Sequence, residues 1–442
     1  MGFANSKTGV NDLVHLYFKD LAGLFLYGCS RGFLFLGQYQ RGVKLLLSSI
    51  RLSYNGHAIR FLSHRYPKLI PYIESFTTTN VTEKEACVRT IALSLPKIVE
   101  GQVKKGVLVI KFTRTTGFYI HERSFQLLDK LFIFIVEPSW AGYADADLLT
   151  FLHKAEHCLI QATEVHDRAL INDLMQTCVT LSFGAGNWVD DRLFTVAMEV
   201  KTLDVIYVAN MNPGKRVYRY IDAVAKVAKD YPEYKAKLIC ASWGSSSLAD
   251  IQQYIDLNKL EDTLELSAAV SQEDLRKEVS RSKCCVLLSF KEGSSRILFE
   301  SMFLDVPVIC LCENIGVNKA YINEYTGLLV HDAQFEAALI QMMSRWTQFA
   351  PRAWAESHVS PAVTTRNMEM VLDLRFPALY TKPLVVKVNQ PEMRYQNKSD
   401  ILVESFATVL SILRESESDV HLAVQRLQDL SCETDSLATG SL

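Results

Sequence analysis

Two glutamates set eight positions apart are the residues that most clearly suggest chemistry, in the stretch KEGSSRILFESMFLDVPVI from Lys291 to Ile309. Glu292 comes just before a Gly-Ser-Ser turn, and Glu300 lies inside an apolar run of helical spacing. The apolar segment before this loop is typical of a buried strand. Backbone amides in the first turn of a helix have no partner within it, so they can hold an anion. The spacing therefore predicts an anion pocket with a carboxylate on either side.

The guest that such a pocket fits is a nucleotide-sugar. The amides of residues 293–296 would hold its phosphates, and Ser294 or Ser295 would cap the helix. Carboxylates only accept hydrogen bonds, so they are poor phosphate ligands and good ligands for hydroxyl groups. One of Glu292 and Glu300 would then bind the ribose and the other the second sugar. A solvated Glu292 and an outward-pointing Glu300 are the alternative that spacing alone leaves open.

The elements around the motif alternate regularly between strand and helix patterns. After Lys201 the strand patterns are DVIYVAN, AKLICAS, DTLELSAA, KCCVLLS, VPVICL and TGLLV, with helical patterns between them. Earlier in the chain, GVLVIKF, KLFIFIVEP and HCLIQAT are short apolar runs of the kind found in buried parallel strands. This alternation predicts α/β folding with helices on both faces of parallel sheets. Two such units in series predict two Rossmann-like domains that face each other across a cleft.

A chain of 442 residues is long enough for several domains. We predict a mostly helical N-terminal region over residues 1–100 and an acceptor-side Rossmann-like domain over 101–200. A nucleotide-sugar-binding Rossmann-like domain is predicted over 201–350. A helix over 360–375 is expected to complete the acceptor-side domain, and 376–442 is expected to form a C-terminal tail.

The stretch EGSSRILFESMFLDVPVI resembles the E-G-x-G-x-x-x-x-E-A-M-A-x-G-x-P-V-I signature of the family 4 retaining glycosyltransferases, of group 1 type. Three further segments, DVIYVANMNPGKR, AAVSQEDLRK and NEYTGLLV, resemble motifs of that family in the same order. The resemblance extends from Asp204 to Val330. It implies the GT-B fold and a hexosyltransferase-type enzyme that moves a sugar from a nucleotide-sugar to an acceptor hydroxyl, with no metal and no other cofactor.

The resemblance also implies roles for particular residues. Glu300 would hold the ribose, Glu292 the hydroxyls of the donor sugar, and Lys215 the diphosphate leaving group. Amides that take the phosphates are expected at Gly293, Ser294, Ser295 and Arg296. The arginine that accompanies the lysine in the family falls on Asn210 here. We call residues 293–296 the phosphate loop. Arg216, or Arg296 at the phosphate loop, is therefore expected to supply the missing positive charge.

Two departures from the family pattern leave a second class of function open. The missing arginine at Asn210, and Ser294-Ser295 in place of the usual aromatic-glycine pair, also suit a non-catalytic GT-B scaffold or regulatory subunit that binds nucleotide. For the enzyme, the donor is expected to be a UDP-, GDP- or ADP-sugar. The acceptor is expected to be a glycan, a lipid-linked molecule or another hydroxyl compound, in polysaccharide biosynthesis.

Composition and the N-terminal region bear on partners and location. A formal net charge of -2 gives no reason to expect a nucleic-acid partner. Ten cysteines without CxxC spacing favour reduced thiols in the cytoplasm, and no secretory signal is visible. The apolar run from Leu21 to Gly37 is interrupted by Arg31. A core-packed helix is the favoured interpretation, and a peripheral segment at the inner face of the membrane and a membrane span are the alternatives.

Other motifs are given structural interpretations. HKAEH at 153–157 has the spacing of a zinc site, but it should run from a helix into a strand, which would separate its histidines. The acids at 145–147 are expected to cap a helix, and the glycines at 184–186 to form a loop. Glu137 and His121 are expected in loops near the cleft, where a structural role is favoured over the orientation of an acceptor hydroxyl.

Overall fold

A computed structural model describes the chain over residues 8–53, 55–138, 142–175, 177–196, 199–243, 247–388 and 406–439. The chain divides into two compact units. The first unit comprises Leu13–Gly184 and Thr365–Leu442, and the second comprises Met1–Asp12 and Ala185–Thr364. Most of the predicted helical region 1–100 and most of the predicted domain 101–200 thus fall within the first unit. Which unit takes which substrate stays a prediction.

The first unit is built on a sheet of five strands in the order β1-β4-β5-β6-β7, with a separate hairpin of β2 and β3. Its strands are β1 (Thr90–Ser94), β2 (Lys97–Val99), β3 (Gln102–Lys104), β4 (Gly106–Lys111), β5 (Phe132–Glu137), β6 (Cys158–Gln161) and β7 (Val179–Leu181). Strand β1 runs antiparallel to β4, and the pairings from β4 to β7 are parallel. The carboxyl ends of β4, β5 and β6 consequently lie side by side along the same side of the sheet, where these strands end.

Helices of the first unit precede and cover this sheet. They are α1 (Thr8–Phe35), α2 (Tyr39–Ser53), α3 (Gly56–Glu74), α4 (Glu83–Val88), α5 (Thr113–Ile120), α6 (Phe125–Leu131), α7 (Ala146–Lys154) and α8 (Val165–Leu174). Asp145 caps α7 by accepting from the amides of Asp147 and Leu148. Helix α7 ends at Lys154 and β6 begins at Cys158, so the two histidines of HKAEH do not share a helix.

Helix α1 presents two different faces. Its small-residue face packs on α2, where Ser49 donates to the carbonyl of Gly23 at 2.7 Å and Ser30 donates to that of Gly42 at 2.8 Å. Over the described residues, no helix combines the length and apolar character that crossing a membrane requires. Large apolar side chains nevertheless remain exposed on the other face of α1, among them Phe18, Leu21, Phe25 and Phe35.

The second unit contains a parallel sheet of six strands in the order β10-β9-β8-β11-β12-β13. These are β8 (Leu203–Asn210), β9 (Ala236–Ala241), β10 (Leu264–Ser267), β11 (Ser282–Leu287), β12 (Val308–Leu311) and β13 (Gly327–Val330). Its helices are α9 (Val217–Asp230), α10 (Leu248–Leu257), α11 (Gln272–Ser280), α12 (Arg296–Phe303), α13 (Phe335–Arg345) and α14 (Pro351–His358). This parallel sheet and the mostly parallel sheet of the first unit confirm the predicted pair of Rossmann-like domains.

Both faces of the second sheet are covered, which explains why its strands read as continuous apolar runs. In β11, Cys284 and Val286 pack into one apolar cluster, whereas Cys285 and Leu287 pack into the other. Successive side chains of a strand point to opposite faces, so a strand covered on both sides must be apolar at every position. This burial fixes β11 in the centre of the sheet, with its carboxyl end leading into the loop of Glu292.

The described residues after 360 include the helices α15 (Pro361–Arg375), α16 (Phe406–Glu415) and α17 (Val420–Thr439). Helix α15 starts on a proline, as the sequence predicts. The run LVVKV at 384–388 has the apolar composition of a strand, but these residues belong to no strand. One backbone bond, from the amide of Val385 to the carbonyl of Leu93, ties this segment to β1.

Candidate functional site

The loop between β11 and α12 brings together the two residues with predicted catalytic roles. Nζ of Lys215 lies 2.6 Å from Oε1 of Glu292, although the residues are 77 positions apart. The side chains are 27% and 11% exposed, so the pair is shielded yet open to solvent on one side. A cation and a carboxylate in contact at the carboxyl edge of a parallel sheet form a site that can meet both charged and hydroxylated groups of a ligand.

A network of polar groups holds the carboxylate of Glu292 in place. Ser289 donates its hydroxyl to Oε1 of Glu292, and Asn314 donates its amide to the carbonyl of Ser289 at 2.6 Å. The amide of Glu292 donates to the carbonyl of Ile315 at 2.8 Å. Gly316 has a φ of +105°, and a Cβ there would lie 1.8 Å from the carbonyl oxygen of Glu292. Only glycine lets the two loops come this close.

A tight turn after β8 positions Lys215. Asn212 caps this turn, accepting from the amide of Gly214 at 2.8 Å, and the amide of Phe290 donates to the carbonyl of Gly214 at 2.9 Å. The turn is thereby tied to the loop of Glu292. Asn210 accepts from the amide of Asn212 at 3.1 Å. Its side chain therefore shapes the turn and brings no positive charge to the site.

Arg216 lies next to this turn, but its side chain pairs with another residue of the protein. Its backbone is left-handed, with a φ of 58°, and its side chain is only 1% exposed. The guanidinium donates to Asp332 at 2.6 Å and lies over the ring of Phe290 at 4.4 Å. A buried cation already neutralised by a carboxylate is poorly placed to meet a diphosphate. Whether Arg216 or Arg296 supplies the missing charge stays a prediction.

Glu300 lies on the second turn of α12 and is 4% exposed. Arg296, one turn earlier, donates to its Oε1 at 3.0 Å and is itself 43% exposed. Burial raises the pKa of Glu300, and the positive charge of Arg296 offsets part of that rise. The arrangement rules out a solvated, outward-pointing Glu300. The predicted contact of this carboxylate with ribose stays a prediction.

The start of α12 has the features that an anion site needs. Ser295 is the N-cap residue in an extended conformation, yet its side chain makes no capping hydrogen bond to the first-turn amides. Those amides thus remain uncapped by any side chain, and the positive end of the helix dipole lies with them. The hydroxyl of Ser294 instead accepts from the amide of Gly186 at 2.8 Å. Among the described residues, no cluster of metal-ligating side chains is found.

Two residues in the first unit were expected in loops near the ligand. Glu137 is instead the last residue of β5 and is buried, with Lys387 at 2.8 Å and Lys111 at 3.7 Å. The expectation of a loop position for Glu137 is therefore wrong, because the strand continues through it. His121 ends α5 and contacts the hydroxyl of Thr77 at 3.0 Å. Ser139, Trp140 and Ala141, in the stretch IVEPSWAGY, lie outside the described residues.

Sequence reasoning missed the residues that support the site. Ser289 and Asn314 hold Glu292, and Asp332 holds Arg216. Only the carboxyl-end position of Ser289, three residues before Glu292, offered a signal. The pairing of Arg216 with Asp332 joins positions 116 residues apart, and no local pattern indicates it.

The region that contains this site matches a known family. Residues 202–347 match the model of the family described as glycosyl transferases group 1, which is 146 of the 442 residues. The match includes Lys215, Glu292 and Glu300, and it confirms the prediction of a glycosyltransferase domain in this part of the chain. Assignment to family 4 and retention of configuration stay predictions. No curated protein sequence matches the chain.

Several solved structures are similar to the chain at low identity. Sucrose-phosphate synthase from Thermosynechococcus elongatus has 16% identity and a TM-score of 0.49 over 71% of this chain and 79% of its own. HepE from Anabaena, in complex with UDP and glucose, has 13% identity and a TM-score of 0.46 over 60% and 77%. For S. aureus TarM the values are 16% and 0.45 over 64% and 63%. The chain thus spans less than two thirds of TarM, and these similarities are too distant to identify an activity.

Proposed function

We propose that the protein is a retaining glycosyltransferase of family 4, which moves a sugar from a nucleotide-sugar donor to a hydroxyl of a glycan or a lipid-linked acceptor. The observation that supports this most is the Lys215–Glu292 pair beside the uncapped start of α12. It combines a cation, backbone amides and a carboxylate in one unit that matches the group 1 glycosyl transferases.

Each part of the site would act on a different part of the donor. In the reaction the bond between the sugar and the diphosphate breaks, and negative charge develops on the leaving diphosphate. Lys215 and the first-turn amides of α12 would stabilise that charge, which is the largest contribution expected in such a reaction. Glu292 would accept hydrogen bonds from the donor sugar, and Glu300 from the ribose. The residues need no metal for these roles.

Binding and turnover measured on the whole chain test this proposal. UDP, GDP and ADP are titrated by calorimetry, and the corresponding sugar nucleotides are assayed for hydrolysis and transfer. We expect one nucleotide to bind and its sugar derivative to be consumed, with binding weakened by Glu300→Ala. If the intact protein consumes none of the donors and binds none of the nucleotides, the proposed activity is wrong.

A second function is favoured by one observation. The family arginine is replaced by Asn210, and Arg216 is held by Asp332, so Arg296 is left as the candidate second cation beside Lys215. A scaffold or regulatory subunit that binds nucleotide without turnover fits this weaker charge. It predicts nucleotide binding in calorimetry with no consumption of any donor, and this outcome separates the two functions.

We also propose that the protein works in the cytoplasm, at the inner face of a membrane. The support is the exposed apolar face of α1, which includes Phe18, Leu21, Phe25 and Phe35. Residues 8–74 contain eight lysines and arginines against three acids, although the whole chain has a formal charge of -2. Apolar side chains next to excess positive charge fit the surface of an anionic bilayer.

Flotation with vesicles tests this location. The double variant Phe18→Ser/Phe25→Ser should bind vesicles of phosphatidylglycerol and phosphatidylcholine about tenfold or more weakly, because each aromatic ring contributes apolar area to the contact. Leu374→Ser, which removes another exposed apolar side chain in a different part of the first unit, is the matched control and should change nothing. Wild-type protein that stays with the soluble fraction at low salt would contradict the proposal.

A further inference from the structure

The turn Ala185–Trp188 packs directly against the phosphate loop of the second unit. It is a short 3₁₀ turn within the glycine-containing stretch GAGNW. Its Gly186 amide donates to the hydroxyl of Ser294 at 2.8 Å, and its Asn187 donates to the hydroxyl of Tyr321 at 3.2 Å. Asn187 is 1% exposed and Trp188 is fully buried. The turn is thus fixed at several points rather than resting loosely on the surface.

Gly186 is in close contact with α12. A Cβ at this position would lie 2.3 Å and 2.5 Å from two ring atoms of Phe299, and 3.0 Å from the hydroxyl oxygen of Ser294. Phe299 is 2% exposed and also contacts the ring of Tyr321 edge to face, at 5.7 Å. Its ring therefore has little room to move away. Only glycine fits between the loop and the helix at this place.

The contacts of Gly186 with Ser294 and Phe299 lie on the segment that should bind the donor. Ser294 precedes α12, Phe299 lies on its second turn, and Glu300 follows Phe299 directly. A shift of Phe299 would consequently move Glu300 and the first-turn amides together. The bond from Gly186 also sets the direction of the Ser294 hydroxyl. Because its oxygen accepts from an amide, its own proton is left to donate to another group.

We propose that the turn Ala185–Trp188 is a structural part of the donor site, and that Gly186 is a positioning residue for the donor diphosphate. The inference rests on the proposed function of that site. Gly186 touches no donor atom itself. It holds the phosphate loop and the first turns of α12 in register, so that the amides, Ser294 and Glu300 meet one ligand at the same time. Small displacements of such groups cost a large part of their effect.

The main test is Gly186→Ala in the full chain. The nucleotide that binds best among UDP, GDP and ADP should lose ten- to hundredfold in affinity, with a matching rise in the donor KM. Hydrogen exchange in residues 293–300 should be faster. Gly186→Ala/Phe299→Leu should recover most of the affinity, since the shorter side chain makes room for the methyl group. Phe299→Leu alone measures the cost of that change.

Two further variants keep the result interpretable. Gly32→Ala, where an added Cβ meets nothing within 4 Å, controls for a general effect of glycine replacement. Tyr321→Phe removes only the hydroxyl that Asn187 contacts, and it serves as the test if Gly186→Ala fails to fold. It should loosen the turn less, with a few-fold rise in donor KM. Unchanged affinity and unchanged exchange in both site variants would overturn the inference. If wild type binds no nucleotide, the proposed function fails, while the exchange measurement still decides whether the turn holds α12.

Discussion

Replacing Lys215 with methionine should lower the turnover of donor by about 100- to 1000-fold while the protein stays folded. The lysine is the cation that contacts Glu292 at 2.6 Å, beside the amides that are expected to hold the diphosphate. Loss of one preorganised charge-stabilising group typically costs two to three powers of ten in kcat. Since the side chain is 27% exposed, its removal should shift the melting temperature little. Steady-state assays with the preferred sugar nucleotide measure the effect.

Lys226→Met is the matched control for this experiment. Lys226 also pairs with a glutamate, Glu336, at 2.8 Å, but it is 64% exposed and lies on α9 away from the loop of Glu292. Its removal should leave turnover within about twofold, as is usual for an exposed pair. Equal losses in the two variants would show that the effect is general and not due to the site.

A double variant separates two causes of the loss. Without Lys215, the carboxylate of Glu292 would lose the cation that neutralises it, while the hydroxyl of Ser289 would still donate to it, and its negative charge would repel the phosphates. If that repulsion dominates, Lys215→Met/Glu292→Gln should recover donor binding. If the missing cation dominates, as we expect, the double variant should remain as slow as Lys215→Met.

The order of elements in the second unit could be predicted almost completely from the sequence. Strand patterns such as DVIYVAN and KCCVLLS correspond to β8 and β11, and Ser271 caps α11, which begins at Gln272. These predictions succeeded because burial on both faces demands apolar residues at every strand position. Local capping bonds mark the helix starts in the same direct way, as the bond from the Asp274 amide to Ser271 illustrates.

The parts that escaped prediction depend on distant partners. Strand β1 was read as part of a helical region, since its strand character comes from pairing antiparallel with β4. LVVKV has the composition of a strand, yet its backbone bond to the edge strand β1 does not make it a strand, and it contributes Lys387 to a buried ion pair. Likewise, Arg216 and Arg296 look equivalent in the sequence. Only the folded chain shows that Asp332 takes one and Glu300 the other.

The largest effect on stability is expected from Glu137→Gln in the first unit. Glu137 pairs with Lys387, whose side chain is fully buried, and with Lys111, whose side chain is 10% exposed. Removing its charge takes the buried carboxylate away from two lysines, and breaking a buried ion pair typically costs about 3–5 kcal/mol of unfolding free energy. Lys387→Met should cost much less, because Glu137 keeps Lys111 as its partner and an apolar side chain suits the burial. Urea unfolding at pH 7 measures the difference between the variants, and equal costs would contradict this account.

The same cluster gives the stability of the protein a defined pH dependence. Burial, offset in part by Glu137, lowers the pKa of Lys387 to about 7 in the folded chain, against roughly 10.4 in an unfolded one. Between these values the unfolded chain binds more protons than the folded chain, so the unfolding free energy should rise as the pH increases from 7 toward 10. Below pH 7 Lys387 is protonated in both the folded and the unfolded chain, so its contribution to the unfolding free energy is constant. Lys387→Met should remove the rise, whereas Lys226→Met should leave it in place. An unfolding free energy with the same pH profile in wild type and Lys387→Met would mean that Lys387 does not titrate in this range.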